Sequence, residues 1–382
     1  MPAQWSIQAH DGPPGLLRLE SDWLALLAEM PGHGPQHHFE TQRAYVQHLS
    51  PSDSGYACLA LSDGSRIRAI CPLERGVVTV LGREFTVLGL PWQMLDLCPD
   101  LICPEGEAES RLLPAVLEWL RRAPKRPRWL VLDRVSEGSA AARCLAQLSA
   151  TRQCATPLEP SAVFDGSLSD QAFEARLAPP FRTNLRTAAR RLAAMGEARF
   201  VSVSDAAGAA QAYADFLAVE SSGWKGEAGL RGAVRFKPEQ AAFYRSLVER
   251  AGQGSGCEFN ALYLNGQCIA SQLCLRGGGG ELAIPKLGYD ERFSRASPGQ
   301  LLFAWALQRC RAEPGVRRVN MVSNARWFHP WRPAYEQNRR VLIGVGRFSG
   351  PLLATLMRWG SSGVRWIRRH RPASRANPGA PD

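Results

Sequence analysis

Apolar and polar positions change their period twice between Cys257 and Ala312. Over Cys257–Leu264, Phe259, Ala261 and Tyr263 alternate with Asn260, Leu262 and Leu264. That two-residue period predicts a strand. Asn265-Gly266 supplies the two positive-φ positions of a type I′ turn, and Gln267 to Arg276 returns as a second strand. Gly277 to Gly280 make a further turn, and Glu281 to Tyr289 reads as a third strand. Pro285 cannot donate to a ladder, so it marks an edge, a bulge or a splayed pair. The period then becomes helical behind Ser297-Pro298-Gly299-Gln300. Ser297 is expected as N-cap, Pro298 at the first helical position, and Gln300 to close a capping box. Such a start would leave the amides of Gly299, Gln300 and Leu301 open to an anion. The competing reading is a well-capped helix that binds nothing.

The same reading extends along the chain. Tyr56–Leu61 and Ile67–Leu73 form a hairpin about Asp63-Gly64, with strands at Val77–Leu81 and Phe85–Leu90. A helix over Arg111–Arg122 follows, its Pro114 tolerable near a first turn. A buried strand at Trp129–Asp133 and a helix at Ala140–Leu148 complete this region. From about Asp165 a similar order recurs. A long helix over Phe173–Ala194, interrupted at Pro179-Pro180, carries Arg182, Arg186 and Arg190 on one face. It reads as a solvated face or an anion-facing stripe. A strand at Ala198–Val203, a helix capped by Asp205, a helix opening at Lys237-Pro238, and strands at Val316–Val322 and Arg340–Val345 complete the region. The expected fold is α/β: two similar halves, residues 1–164 and 165–345, each a mixed, mostly antiparallel sheet flanked by helices. Residues 346–382 form a basic, tryptophan-containing segment and a Pro/Ala-rich tail expected to be disordered. The segment from Leu352 to Arg371 would suit an acidic membrane surface, or simple packing on the domain.

Four motifs occur in order: Glu220-Ser-Ser-Gly-Trp224-Lys225-Gly226, Ala242-Phe243-Tyr244, Lys286-Leu-Gly-Tyr289-Asp290 and Ser297-Pro-Gly-Gln-Leu-Leu302. Together, over about residues 165 to 345, they resemble the CelD/BcsL-like, cellulose-biosynthesis-type branch of the GNAT acetyltransferase superfamily. That branch is related in fold to the FemAB aminoacyl transferases. The resemblance implies two GNAT-like halves, acetyl-CoA or another acyl-CoA as co-substrate, and direct transfer to a sugar or amine of an envelope or exopolysaccharide precursor. It places coenzyme phosphates at Ser297, Gly299, Gln300 and Leu301, and makes Glu281–Tyr289 the strand along which the thioester lies. Trp224, Lys225, Tyr244, Lys286 and Tyr289 become substrate-binding candidates.

Composition agrees with this picture without deciding it. The 382 residues suffice for two or three cores, and a net charge of +11 favours anionic partners. Ten cysteines without CxxC or zinc spacing read as small hydrophobes in a reducing cytoplasm. His33, His37, His38 and His48 lack the carboxylate-bearing helical spacing of a metal site, so no metal is expected. No signal peptide or membrane-spanning run is visible, which predicts a cytoplasmic protein with peripheral contact at the inner membrane as an option.

Direct transfer needs a group that takes the nucleophile's proton. Glu220 and Asp290 are the candidates beside apolar residues, where a carboxyl pKa rises; each could instead be an ion-paired carboxylate. The chain departs from the family where Asn320 replaces a usual Asp and Phe328-His329 stands where Tyr-Lys is expected. His329 becomes a third base candidate, or a plain surface histidine. Two rivals follow: aminoacyl transfer from charged tRNA, for which no coiled-coil arm is visible, and a non-catalytic subunit of a polysaccharide machine.

Overall fold

The computed structural model describes residues 4–50, 55–80, 83–91, 97–122, 127, 129–223, 225–226, 231–313, 315–345 and 365–366. Trp224 and nearly all of the segment from Leu352 to Arg371 lie outside the described residues.

Twelve strands line up in one sheet. They are β1 (Ser6–Asp11), β2 (Ala57–Ser62), β3 (Ile67–Val80), β4 (Arg83–Gly89), β5 (Trp129–Ser136), β6 (Gln153–Asp165), β7 (Ala198–Val203), β8 (Cys257–Leu264), β9 (Gln267–Arg276), β10 (Glu281–Tyr289), β11 (Arg318–Asn320) and β12 (Ala334–Gly344). Their spatial order is β1-β2-β3-β4-β5-β12-β6-β11-β10-β9-β8-β7. A short β13 (Arg365–Trp366) pairs with β3. The order reads alike from both ends once each strand of the first set is matched with the one six later. β1 to β4 are antiparallel neighbours, as are β7 to β10. The steps β4/β5 and β10/β11 are parallel and short. The sixth strands are exchanged: β6 pairs with β11, and β12 pairs with β5, so the halves share one sheet. This is the α/β, mostly antiparallel, doubled arrangement expected from the order of elements.

Local chemistry explains most elements. Asn265 and Gly266 take φ of 49° and 82°, the predicted type I′ turn. Asp205 accepts from the Gly208 amide at 2.8 Å and starts the helix Ala206–Glu220. The chain breaks at Pro179 into helices Asp170–Arg176 and Pro179–Met195. Other boundaries differ. Pro114 lies inside the helix Glu107–Arg122, which begins a turn earlier than expected. Strand β6 went unpredicted because Pro157 and Pro160 interrupt its pattern. Pro160 falls at an irregularity opposite Glu336 to Asn338, where no ladder donor is needed.

The predicted four-glycine turn holds the halves together. Gly279 donates its amide to the His33 carbonyl at 3.1 Å. His33 and His38 face each other with ring centroids 5.4 Å apart. Burial lowers the His38 pKa to about 4, with the neighbouring His33 adding to the effect. His37 instead bonds to the buried Asp100 at 3.2 Å. Among the described residues no group of three or more His, Cys, Asp or Glu could hold a metal ion.

Candidate active site

The cleft of the second half begins where the sheet stops being a sheet. β10 and β11 pair only over Glu281–Ala283 with Arg318–Asn320. Beyond Ala283 they part, and the register of β10 against β9 shifts between Ala283 and Lys286. Pro285 sits in that shift, one of the three settings expected for it. The gap is a cleft of about 630 Å³, lined on one side by Ile284–Tyr289 and on the other by Met321, Ser323, Ala325, Trp327 and Phe328.

Glu220, the last residue of the helix Ala206–Glu220, also lines the cleft. Its position depends on Gly288, where a Cβ would stand 2.6 Å from the Glu220 Cα, so helix and strand touch backbone to backbone. The Glu220 side chain is only 2% exposed. Its Oε2 accepts from the Val234 amide at 2.8 Å, and its Oε1 lies 3.6 Å from Lys225 Nζ. Lys225 also donates to the Leu287 carbonyl at 3.2 Å. Burial lowers the Lys225 pKa and Lys286 lowers it further, while Glu220 opposes both. Leu287 turns its carbonyl to the cleft side of β10, and in a strand the amide of one residue points the same way as its carbonyl.

The helix Pro298–Ala312 starts at the cleft, with Ser297, Gly299 and Gln300 in its lining. The cap differs from the expected one. Ser297 is left-handed, at φ 48° and ψ 50°, and its side chain caps nothing. It follows directly on a 3₁₀ segment, Glu291–Ala296, and its own amide bonds to Ser294. Its carbonyl accepts from the amides of Gln300 at 3.0 Å and Leu301 at 3.1 Å. Of the three amides expected to be open, Gly299 is the one without a partner in the helix. Leu301 is buried in a hydrophobic cluster. Gln300 accepts from the Trp331 indole instead of closing a capping box. Tyr289 lies over the helix start, its ring 3.2 Å from where a Gly299 Cβ would be.

The other candidates fall elsewhere. Asp290 is not among the residues that line the cleft. Arg292 grips it through both carboxylate oxygens, at 2.6 to 3.1 Å, and holds its pKa below the usual range, opposite to what a base at neutral pH needs. His329 is exposed beside Tyr335, outside the cleft. Tyr244 is fully buried in a core cluster against Phe243. Thus Glu220, Lys225, Lys286, Tyr289, Ser297, Gly299 and Gln300 come together, and Asp290, His329, Tyr244 and Leu301 do not. Sequence reasoning missed the aromatic wall of Trp327 and Phe328, whose rings lie 4.1 Å apart. It also missed the role of Asn320. Asn320 donates to Glu281 Oε1 at 3.0 Å and accepts from the Val322 amide at 2.8 Å. The Asn320 amide donates to one oxygen of Glu281 while Arg318 stands 3.1 Å from the other.

Among the described residues, the first half repeats the strand order but differs at the helix start. Its counterpart of the helix at the cleft, Glu107–Arg122, opens with Glu107 and Glu109 in the first turn. Carboxylates there repel phosphate, whereas the first turn of Pro298–Ala312 holds none.

Residues 180–329 match the acetyltransferase (GNAT) domain family. The chain carries a GNAT-type acyltransferase domain, and the match spans the whole cleft. Among solved structures, the chain is similar to a C-terminal domain ascribed to a lysylphosphatidylglycerol synthetase of Agrobacterium fabrum. The identity is 15%, 91% of this chain and 98% of that one are covered, and the TM-score is 0.53. It is also similar to FemX at 10% identity, covering 78% of this chain and 90% of that one, with a TM-score of 0.51. These likenesses establish the fold alone. No curated protein matches the sequence. Among the described residues, no helix is long and apolar enough to cross a membrane.

Proposed function

We propose that the cleft of the second half takes acyl-CoA and passes its acyl group to a hydroxyl or amine of an envelope or exopolysaccharide precursor, as in the CelD/BcsL-like branch. The observation that carries this reading is the parting of β10 from β11 beyond Ala283, with a buried carboxylate against Gly288 and a helix start against Tyr289, both in the lining of the gap. The residues present suit the coenzyme. Gly299 keeps a backbone amide approachable, no carboxylate stands in the first turn, and β10 offers backbone groups along the gap.

In such a transfer the nucleophile attacks the thioester carbonyl, a C–O or C–N bond forms, and the C–S bond breaks. Backbone amides of β10 facing the cleft, that of Leu287 among them, would steady the carbonyl oxygen. Glu220 is the proton acceptor of this reading. Its Oε2 is held by Val234, and its Oε1 faces Lys225 in the cleft lining. Lys225 keeps that carboxylate oriented. Lys286 and Tyr289, also in the lining, are the acceptor-binding candidates of this reading.

A second reading has one observation in its favour. Arg186 and Arg190 on the helix Pro179–Met195 are exposed, which would suit a polyanionic donor such as charged tRNA. Titration calorimetry with acetyl-CoA, CoA and charged tRNA separates the two. Binding of acetyl-CoA and CoA, lost on crowding Gly299, supports the coenzyme reading. Binding of charged tRNA alone replaces it, and binding of none of them favours a non-catalytic subunit.

A further inference from the structure

Arg134 lies inside β5 at its irregularity against β12, and Val322 lies two residues beyond β11. Each has positive φ, 53° and 49°. That region is a genuine outlier for a β-branched residue, so the surroundings must hold Val322 in it. Two contacts do so. Asn320 Oδ1 accepts from the Val322 amide at 2.8 Å, and Arg134 Nη2 donates to the Val322 carbonyl at 2.7 Å. The second contact comes from the opposite half, 188 residues away along the chain. From Val322 the backbone passes straight into Ser323, Ala325, Trp327 and Phe328, the cleft wall that faces β10.

We propose that Arg134 is a positioning residue for the cleft of the second half. Arg134 is not itself among the residues that line the cleft. Its guanidinium fixes the Val322 carbonyl, and with it the angle at which the wall leaves the sheet. A charge-assisted donor is suited to this, since such bonds are stronger than neutral ones and the carbonyl has no helix or ladder partner at that turn. The first half, whose helix Glu107–Arg122 opens with carboxylates, thereby contributes to a site in the second. The kinetic part of this inference rests on the coenzyme reading above; the structural part does not.

The test compares wild type, Arg134→Ala and Arg134→Lys in three measurements: hydrogen exchange by mass spectrometry, thermal unfolding and CoA titration. In Arg134→Ala, peptides covering residues 321–331 are expected to exchange about tenfold faster, the scale of losing one hydrogen bond to a charged donor. Peptides from β7 to β9 are expected to keep their rates. CoA affinity falls in step, and Arg134→Lys restores most of both. Arg134→Gln, which keeps side-chain bulk, takes the place of the alanine variant if that one does not fold. Unchanged exchange over 321–331 overturns the proposal. So does a uniform acceleration across the whole chain, which would make Arg134 a stabilising residue only. If wild type binds no CoA, the coenzyme reading fails, and the exchange data still decide the role of Arg134.

Discussion

The indole N–H of Trp331 donates to Gln300 Oε1 at 2.7 Å. It ties the end of the 3₁₀ segment Arg326–Trp331 to the first turn of the helix at the cleft. Trp331 is 1% exposed and packs edge-on against Phe181 and Phe303. Gln300→Ala leaves a buried N–H without its acceptor and is expected to cost about 1–3 kcal/mol. Trp331→Phe keeps most of the packing and should cost a similar amount. The double variant should lose less than the two together, because the residues share one bond. Urea denaturation of the four proteins gives the coupling directly.

Gly299→Val is expected to weaken CoA binding at least tenfold while the protein stays folded. The added Cβ stands 3.2 Å from the Tyr289 ring, and the ring must move over the helix start to make room. Calorimetry reads the affinity, and circular dichroism confirms the fold. Unchanged affinity in a folded variant would move the coenzyme away from this helix.

Glu220→Gln should lower kcat by about 10²–10⁴-fold with little change in CoA affinity, the range for loss of a general base. Asp290→Asn and His329→Ala should each leave kcat within about threefold of wild type, since neither lies in the cleft lining and both fall outside the base's role. Steady-state kinetics on a verified acceptor at matched stability checks all three. A large kcat loss in Asp290→Asn alone would reverse the assignment.

Acid should loosen the junction of the halves. Burial lowers the His38 pKa from 6.5 to about 4. Between those values the unfolded chain binds a proton that the folded chain refuses, so stability falls as pH falls from 6.5 and levels off below about 4. The loss approaches roughly 3 kcal/mol at most, one pKa unit being about 1.4 kcal/mol. His38→Gln should flatten this limb. Urea midpoints from pH 4 to 7 for both proteins measure it.

Asn320→Asp should destabilise this chain by about 1–3 kcal/mol. It replaces the donor to Glu281 with a second carboxylate at 3.0 Å. Protonation of the pair at lower pH should recover part of the loss, which thermal unfolding at pH 7 and pH 5 would show.

The local periods made much of this fold legible. The hairpin at Asn265-Gly266, the helix capped by Asp205 and the proline break at Pro179 follow from chemistry within a few residues. What failed was decided at a distance. β6 has no clean alternation, because Pro157 and Pro160 break it, and it is a strand through its pairing with β11 and β12. Asp290 reads as a base beside Tyr289, but the fold turns Arg292 back onto it. Ser297-Pro298 reads as a capped start, yet the preceding 3₁₀ segment forces Ser297 left-handed. At the cleft, the sequence identified seven lining residues. Asn320 and Arg134 were hidden because Glu281 and Val322, which they hold, lie 39 and 188 residues away along the chain, and the aromatic wall because it forms against Phe303 of the helix Pro298–Ala312.

The exchange of β6 and β12 also has a history in time. When residues 1 to about 150 have left a ribosome, β5 has an open edge, because the strand that covers it is Ala334–Gly344 near the far end. Strand β6 emerges next but has no β11 to join until residue 318. An uncovered edge is where chains pair with strangers. The first half therefore waits, unfinished, for nearly the whole of synthesis. The late emergence of a single strand closes both halves, which makes slow or truncated translation a route to aggregation of this chain.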